Sequence, residues 1–374
     1  MTRPPARIGD PLSAVDTPAL IIELEAFEKN LHRLPESLVG KPVRIRPHAK
    51  THKCPVIALK QIALGAVGVC CQKVSEAEAM VYGGVKDVFV SNEIVGAQKL
   101  ERLAALAKLA KIGVAVDDAQ NILDLETVAT KHNAQLDVYI EINVGTPRCG
   151  VMPGEPALVV LAKIIVSCKH LRFSGLHAYH GKAQHVRAYA DRGANIHAAS
   201  SHALETKQLL EANGIPCPII TGAGTGTYQF EAASKVYNEI QPGSYIFMDA
   251  DYGRNRAEDG AAFTQFENSL FVWTTVMSKP AIDRAVCDAG LKAHSVDSGM
   301  PAVVGYPGIE FAGASDEHGV LKISNAKTSL MLGDKIKLIP GHCDPTVNLY
   351  DWYVCVRNGI VEQLWPITAR GAVY

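Results

Sequence analysis

The feature that most constrains the fold of this chain is an alternation of short apolar runs with helix-period segments, from Ala19 to about Asp249. The first unit begins with the apolar run 19–24, and the run 136–144 is equally typical of a buried strand. Continuous apolar strands separated by amphipathic helices such as 92–110 indicate a parallel sheet covered by helices. Eight or nine units in about 230 residues predict an α/β fold of the (β/α)8 barrel type, with a doubly wound open sheet as the alternative.

The chain changes character after Tyr252. Residues 253–262 are charged, glycine-rich and typical of a loop, and strands and turns predominate beyond them. An Asn-Gly pair near the C-terminus stands between two β-rich runs, which is a strong hairpin signal. The sequence therefore predicts a barrel domain over 17–255 and an all-β domain over 260–374, preceded by an extension of residues 1–16.

Composition narrows the class of protein. Lys and Arg total 37 against 38 Asp and Glu, a formal net charge of -1, which does not indicate a nucleic-acid or membrane partner. No apolar stretch approaches the roughly 20 residues of a membrane helix, and the first residues lack the apolar region of a signal peptide. The nine cysteines are scattered without a Cys-x-x-Cys pair, as in a reducing compartment. We expect a cytoplasmic enzyme.

The densest cluster of functional groups is RPHAKTHK, residues 46–53, which follows the strand candidate 43–45. The active sites of barrel enzymes lie at the C-terminal ends of the strands, so this cluster has the right position. A lysine there, Lys50, can form a Schiff base with an aldehyde cofactor. The alternative is a solvated basic loop. The position at a strand end, together with the next cluster, favours the catalytic interpretation.

A segment rich in Gly and Thr, residues 221–227, follows the short run 218–220. Its glycines let backbone N–H groups approach an anion, and its threonine hydroxyls add donors. The segment matches neither the dinucleotide-binding nor the P-loop pattern, but the late loops of a barrel are a frequent phosphate site. A tight turn without a ligand is the alternative. Residues 241–245, one unit later, offer further phosphate donors.

A third cluster, residues 341–345, follows the strand candidate 335–339 and contains His342 and Asp344. In an extended segment alternate side chains share a face, so these two are predicted to point the same way and Cys343 the opposite way. An imidazole and a carboxylate suit a divalent ion that keeps water positions open. A His–Asp hydrogen bond at a turn is the alternative.

Smaller candidates share one position in the predicted barrel. Each lies at or near the end of a predicted strand, where a cofactor cavity would open. They are Gln72, Arg148, Tyr179, Thr225 and Ser244, together with Lys50.

These segments resemble the D-threonine aldolase and D-serine dehydratase-like family of fold-type III pyridoxal-phosphate (PLP) enzymes, which are related to alanine racemase. The resemblance extends from Asp16 to the C-terminus. It rests on RPHAKTHK (46–53), GVCCQKVSEAEA (68–79), PRCGV (147–151), AYHG (178–181), TGAGTGT (221–227), NEIQPGSY (238–245), MDADYG (248–253), SDEHG (315–319) and PGHCDPT (340–346). It implies a barrel with PLP at its mouth, a C-terminal all-β domain and a homodimer with sites near the interface.

The resemblance also implies roles for individual residues. Lys50 corresponds to the Schiff-base lysine, and Arg148 to the arginine beside the PLP ring oxygen. His342 and Asp344 correspond to the two protein ligands of a divalent metal. His185 corresponds to the candidate base, and Asp316 to a carboxylate that supports the water shell of the metal. The remaining cofactor contacts are Gln72, Tyr179, Gly224, Thr225, Gly226, Gly243, Ser244 and Tyr245.

Two positions depart from patterns in the family. Ala223 stands where relatives often carry glycine, which reduces φ freedom but removes no hydrogen-bond donor. Dehydratase members tend to show His-x-Cys and to bind zinc, whereas the residue after Cys343 is Asp344. A carboxylate favours a harder ion than a thiolate does, so we expect Mn²⁺ or Mg²⁺.

The resemblance implies retro-aldol cleavage of a small-molecule D-β-hydroxy amino acid of the D-threonine type to glycine and an aldehyde. The metal would bind the β-hydroxyl group, and His185 would remove its proton. A 3-hydroxyaspartate aldolase giving glycine and glyoxylate is one alternative, and a metal-dependent D-serine or D-3-hydroxyaspartate dehydratase is another. A dicarboxylate substrate would need a cation, for which the candidates are Arg254, Lys182, His294 and His318.

Overall fold

The computed structural model describes residues 2–324 and 329–374. Strands and helices alternate in the first part of the chain, as the periodicity predicts. The elements are β1 (Ala19–Glu23), α1 (Leu24–Glu36), β2 (Arg44–Ile45), α2 (Pro55–Ala63), β3 (Val69–Cys71), α3 (Val74–Tyr82), β4 (Asp87–Glu93), α4 (Ala97–Leu106), β5 (Lys111–Val116), α5 (Ala119–His132), β6 (Leu136–Glu141), α6 (Pro156–Ser167), β7 (Leu171–His177), α7 (Tyr189–Ala212), β8 (Ile219–Gly222), α8 (Tyr228–Ala233) and β9 (Glu239–Ile240).

Strands predominate in the remainder, as expected. They are β10 (Leu270–Ala281), β11 (Arg284–Cys287), β12 (Ala302–Val303), β13 (Ile309–Ala314), β14 (Gly319–Ile323), β15 (Lys335–Ile339), β16 (Trp352–Arg357) and β17 (Ile360–Pro366). The region is not entirely β, because the short helix α9 (Cys343–Val347) follows β15. None of the helices in the described ranges is both long and apolar enough to span a membrane.

Strands β2 to β9 form a parallel sheet, which has eight strands within the described residues. Its order, β2-β9-β8-β7-β6-β5-β4-β3, leaves β2 and β3 at the two edges. A parallel bridge between His48 and Cys70 joins these edges, and the Val67 amide donates to the Ile45 carbonyl at 2.9 Å. The sheet therefore closes into the predicted barrel and is not an open doubly wound sheet.

The second sheet has nine strands in the part of the chain that the structure describes. Its main order is β13-β14-β11-β10-β1-β16-β17, and β15 pairs with β10 and β12. The run 19–24, expected as the first unit of the alternating segment, lies here, because β1 pairs with β10 and with β16. Strand β1 is almost wholly buried, so its sequence looks like that of a barrel strand.

Apolar packing fixes the two sheets against each other at the open end of the barrel. One core fills the space between the barrel strands and the helices around them. A second core joins β1, α1 and α8 to the second sheet. Helix α9 contacts the turn Ala49–Thr51, which follows β2. Residues of the second region are thereby brought to the C-terminal ends of the barrel strands.

Candidate active site

A cavity of about 400 Å³ lies at the C-terminal ends of the barrel strands. Its walls come from barrel loops and from the segment that begins α9. Most of the site residues predicted from the sequence line it. They are Lys50, Gln72, Arg148, Tyr179, His185, Gly224, Thr225, Gly243, Ser244, His342 and Asp344.

Lys50 lies in the turn Ala49–Thr51 after β2. The imidazole of His48 caps this turn by accepting a hydrogen bond from the Lys50 amide at 3.3 Å. Burial, reinforced by the charge of Lys50, lowers the pKa of His48 well below its usual value. The ring is therefore neutral at physiological pH, and it fixes the backbone from which the lysine side chain enters the cavity.

The amine of Lys50 lies 3.4 Å from Oδ2 of Asp344, which belongs to α9. Burial alone would lower the pKa of Lys50, but the Asp344 carboxylate outweighs it and raises this pKa. Burial likewise opposes ionisation of Asp344, whereas Lys50 and His342 favour it more strongly and lower its pKa. The candidate cofactor lysine and the candidate metal ligand are thus an ion pair between the two regions of the chain.

His342 and Asp344 both line the cavity, but the extended segment predicted for them is wrong. Only His342 is extended, with φ −145° and ψ 127°, because α9 begins at Cys343. Asp344 and Pro345 occupy the first turn of this helix, where an acidic residue and a proline are both favoured. The thiol of Cys343 is nevertheless turned away, since it is buried and donates to the Met248 carbonyl at 3.2 Å.

The donor set of this pair fits a divalent cation. Oδ1 of Asp344 is buried and has no hydrogen-bond partner among the described residues. Nδ1 of His342 lies 2.8 Å from Oδ2 of Asp297, which leaves Nε2 for a ligand. Within residues 2–324 and 329–374 no three His, Cys, Asp or Glu side chains form a metal-binding group. An ion here would have two protein ligands and would keep other positions for water or substrate.

Two carboxylates support the segment that carries the pair. Asp297 holds the imidazole of His342, and the Cys343 amide donates to Oδ2 of Asp249 at 3.0 Å. Burial raises the pKa of Asp249 to about 6. Asp316, implied as the support of the metal water shell, lies in the exposed turn between β13 and β14 and does not line the cavity. The structure places Asp297 beside His342 instead.

His185 ends a short helical turn, Lys182–His185, and lines the cavity. Its Nδ1 atom forms a hydrogen bond with Oδ2 of Asp251. Burial would raise the pKa of Asp251, but hydrogen bonds from Arg254 and Arg187 outweigh it and lower this pKa. An ionised carboxylate on Nδ1 orients the ring and leaves Nε2 to accept a proton. This is the arrangement of a carboxylate-oriented general base.

A chain of polar contacts orients Arg148. Its Nη2 atom lies 3.4 Å from Oε1 of Glu141, and its guanidinium lies over the ring of Tyr179, 5.7 Å from the ring centroid. Oε2 of Glu141 pairs with Nδ1 of His177 at 2.9 Å, and Nε2 of His177 lies 3.3 Å from Oε1 of Gln241. Burial opposes ionisation of Glu141, but His177 and Arg148 outweigh it and lower the pKa. These contacts hold the guanidinium group of Arg148 at the cavity.

Backbone amides in the cavity wall form a candidate anion cradle. A Cβ atom at Gly224 would lie 2.5 Å from Oε1 of Gln184, so this close approach requires glycine. Unpaired amides in such a closely packed loop fit a phosphate group. The amides of Gly224, Thr225, Gly243 and Ser244 donate to no acceptor among the described residues.

Two predicted phosphate contacts lie behind this cradle. The Gly226 amide donates to Oε1 of Gln184 at 3.1 Å, and the Tyr245 amide donates to Oγ1 of Thr225 at 2.9 Å. The Tyr245 hydroxyl accepts a hydrogen bond from Gln61 at 3.1 Å. Neither Gly226 nor Tyr245 lines the cavity, so both support the cradle from outside it.

The cations proposed for a second substrate carboxylate are placed elsewhere. Arg254 pairs with Asp251, and His294 is fully buried, with its ring 4.9 Å from that of Phe311. Lys73, which follows β3 and is not among these candidates, does line the cavity. The candidates that do not line it are Arg254, Lys182, His294 and His318.

Reasoning from the sequence missed three carboxylates that orient the cavity residues. Asp251 and Asp297 act on side chains from distant segments, so no local pattern reveals them. Glu141 gave a usable signal, because it is a charged residue at the end of the apolar run that forms β6. A buried carboxylate at a barrel strand end predicts a paired, functional group.

Comparisons with known proteins agree with this architecture. The family described as "Alanine racemase, N-terminal domain" matches residues 22–251, and "Putative serine dehydratase domain" matches residues 269–356. A D-threonine aldolase of Arthrobacter sp. is 48% identical over 369 residues, which cover 98% of this chain and 96% of the relative. The chain belongs to the D-threonine aldolase and D-serine dehydratase-like family. Its fold is accordingly alanine racemase-like.

Two further members of the family are similar to this chain at nearly the same identity and along their whole length. A 3-hydroxy-D-aspartate aldolase of Paracoccus denitrificans (strain Pd 1222) is 47% identical over 374 residues, covering 99% of this chain and 96% of the relative. The crystal structure of D-threonine aldolase from Filomicrobium marinum superimposes with a TM-score of 0.95, at 49% identity and 100% coverage of both chains. Family members described as dehydratases are more distant, at 25% identity or below.

Proposed function

We propose that this chain is a PLP- and divalent-metal-dependent aldolase that cleaves a D-β-hydroxy amino acid of the D-threonine type to glycine and an aldehyde. The observation that carries the proposal is the meeting of Lys50, Asp344 and His185 in one cavity. The similar relatives from Arthrobacter and Paracoccus are also described as aldolases, which are carbon–carbon lyases.

The cavity offers a place for each part of PLP. Lys50 would hold the aldehyde carbon, and the unpaired amides of the cradle would hold the phosphate. Arg148 would face the ring oxygen, with Tyr179 and Gln72 beside it. Bound PLP supplies an electron sink for the Cα–Cβ bond, and a divalent ion supplies a Lewis acid for the β-hydroxyl group.

His185 would take the proton that cleavage of the Cα–Cβ bond requires. Asp251 holds its Nδ1 atom, so Nε2 accepts the proton of the substrate β-hydroxyl group. The resulting imidazolium is stabilised by the ionised Asp251. The electron pair of the O–H bond then forms the aldehyde carbonyl group as the Cα–Cβ bond breaks.

Nε2 of His342 and Oδ1 of Asp344 would hold the metal. A nitrogen and a carboxylate oxygen with open positions favour Mn²⁺ or Mg²⁺ over the zinc of a His-x-Cys site. A dehydratase is the least favoured candidate, because Asp344 stands where dehydratase members tend to have cysteine.

A 3-hydroxy-D-aspartate aldolase is the second candidate. Lys73 favours it, because this lysine lines the cavity and forms no ion pair with the described residues. An ammonium group there would attract the second carboxylate of a dicarboxylic substrate. The Paracoccus relative supports the same candidate.

We also propose that the protein is a homodimer and lies in the cytoplasm. A homodimer is inferred from the family resemblance. A cytoplasmic location is supported by the nine cysteines, all of them free thiols.

The test is a product assay with PLP and Mn²⁺ on D-threonine and D-3-hydroxyaspartate in parallel. We expect glycine with acetaldehyde from D-threonine, and greater efficiency on D-3-hydroxyaspartate would select the second candidate. Formation of 2-ketobutyrate and ammonia would refute the aldolase. Lys50→Ala should lose the visible absorbance of lysine-bound PLP, whereas Lys182→Ala, outside the cavity, should keep it.

A further inference from the structure

Arg254 connects two loops that support different parts of the candidate site. It lies in the turn Tyr252–Arg254, and its side chain is 52% exposed. Its Nη2 atom donates to Oδ1 of Asp251 and also to the carbonyl of Ser298 at 2.7 Å. One nitrogen therefore ties the barrel loop to the loop after β11.

The barrel end of this contact supports the candidate base. Asp251 accepts from Arg254 and pairs with Nδ1 of His185. A second arginine, Arg187, serves the same carboxylate, with its Nη2 atom 2.5 Å from Oδ1. Arg187 makes its other hydrogen bonds to barrel residues and none to Ser298.

The other end of the contact supports the candidate metal ligand. The Ser298 hydroxyl donates to Oδ2 of Asp297 at 3.0 Å, and the same oxygen lies 2.8 Å from Nδ1 of His342. The loop also lies directly on the segment before His342, because a Cβ at Gly341 would be 2.0 Å from the Gly299 carbonyl oxygen. Displacement of the Ser298 backbone would therefore move Asp297 and release the imidazole.

We propose that Arg254 is a positioning residue that sets the affinity of the His342–Asp344 pair for a divalent ion. By holding the Ser298 carbonyl, it keeps Asp297 on Nδ1 of His342 and directs Nε2 into the cavity. The inference rests on the proposed function, which assigns the metal to this pair. Outer partners of a metal ligand are worth about 10- to 100-fold in metal affinity.

The test measures Mn²⁺ binding to the PLP-loaded protein by titration calorimetry. Arg254→Met should weaken binding about tenfold, because it cuts the bridge to the loop. Arg187→Met is the matched control, since it removes a cation from Asp251 but leaves Ser298 untouched, and it should keep the wild-type affinity. Both variants should lower the aldolase rate through His185. Unchanged affinity in Arg254→Met, or an equal loss in both variants, would overturn the proposal.

A third variant separates this inference from the proposed function. Asp344→Ala removes a metal ligand and should abolish Mn²⁺ binding at the site. If Asp344→Ala still binds Mn²⁺ as the wild type does, the assigned metal site is wrong. If it loses binding while Arg254→Met does not, only the role of Arg254 fails. If thermal unfolding shows that Arg254→Met is not folded, Arg254→Gln takes its place in the titration.

Discussion

Ala223, in the loop that contributes to the cradle, has an unfavourable backbone conformation. Its φ of +69° lies in the left-handed region, which costs an alanine about 1–2 kcal/mol. Glycine avoids this cost but loses about 0.5–1 kcal/mol of unfolded-chain entropy. We therefore expect Ala223→Gly to raise the free energy of unfolding by about 0.5–1 kcal/mol, measured by denaturant titration. Ala178→Gly, a buried position with negative φ, should lower it, and a destabilised Ala223→Gly would contradict the argument.

At the same scale, the residues that the sequence predicted well are those whose chemistry is local. Lys50 stands in a cluster of functional groups after a strand, and position alone placed it at the cavity. Asp297 and Asp251 could not be predicted in this way, because each acts on a histidine 45 or 66 residues away along the chain. The roles of these two carboxylates depend on tertiary contacts between loops, which no sequence spacing predicts.

At the scale of elements, the sequence assigned two segments wrongly, β1 and α9, for different reasons. Strand β1 has the apolar content of a barrel strand, and only its pairing with β10 and β16 reveals the second sheet. Helix α9 is too short to have a periodicity, although an acidic residue and a proline in its first turn were available as signals. His342 and Asp344 nevertheless line the cavity, and the thiol of Cys343 points away from it.

Glu231, a buried residue of helix α8, predicts a pH dependence of the free energy of unfolding. Burial raises the pKa of Glu231 to about 7 from its ordinary 4.5, against a hydrogen bond from Thr227 at 2.8 Å. A carboxyl group with a raised pKa binds its proton more tightly in the folded chain. Its stabilisation is complete below about pH 4.5 and is lost as the pH rises through about 7.

Glu231→Gln, which stays neutral, should therefore flatten the pH dependence of the unfolding free energy between pH 5 and 8. The difference from the wild type should change by roughly 2.5 kcal/mol over this interval. Denaturant titrations at several pH values measure it. Glu258→Gln, an exposed position, is the control and should leave the wild-type curve unchanged. A Glu231→Gln curve parallel to that of the wild type would show that the buried carboxyl does not titrate there.

At the scale of the whole molecule, the candidate site is divided between the two regions. The barrel contributes Lys50, and the second region contributes His342, just before α9, and Asp344, in its first turn. The alternation of strands and helices predicted the barrel, and the change of texture after Tyr252 predicted the β-rich region. Their mutual orientation could not be predicted, because it depends on the core that joins β1 and α1 to the second sheet.

We expect a bound ion to stabilise the whole chain and not only the loop that holds it, because its assigned ligand Asp344 also pairs with Lys50 of the barrel. Mn²⁺ at 100 times its Kd should stabilise the folded PLP-loaded protein by about 2.7 kcal/mol, because the unfolded chain lacks the site. For a chain of 374 residues this corresponds to a rise in Tm of about 3 °C. Calorimetry should show the rise in the wild type, its reversal by EDTA, and its absence in Asp344→Ala. A shift of equal size in Asp344→Ala would place the ion elsewhere, because that variant lacks the carboxylate oxygen assigned as one of its two protein ligands.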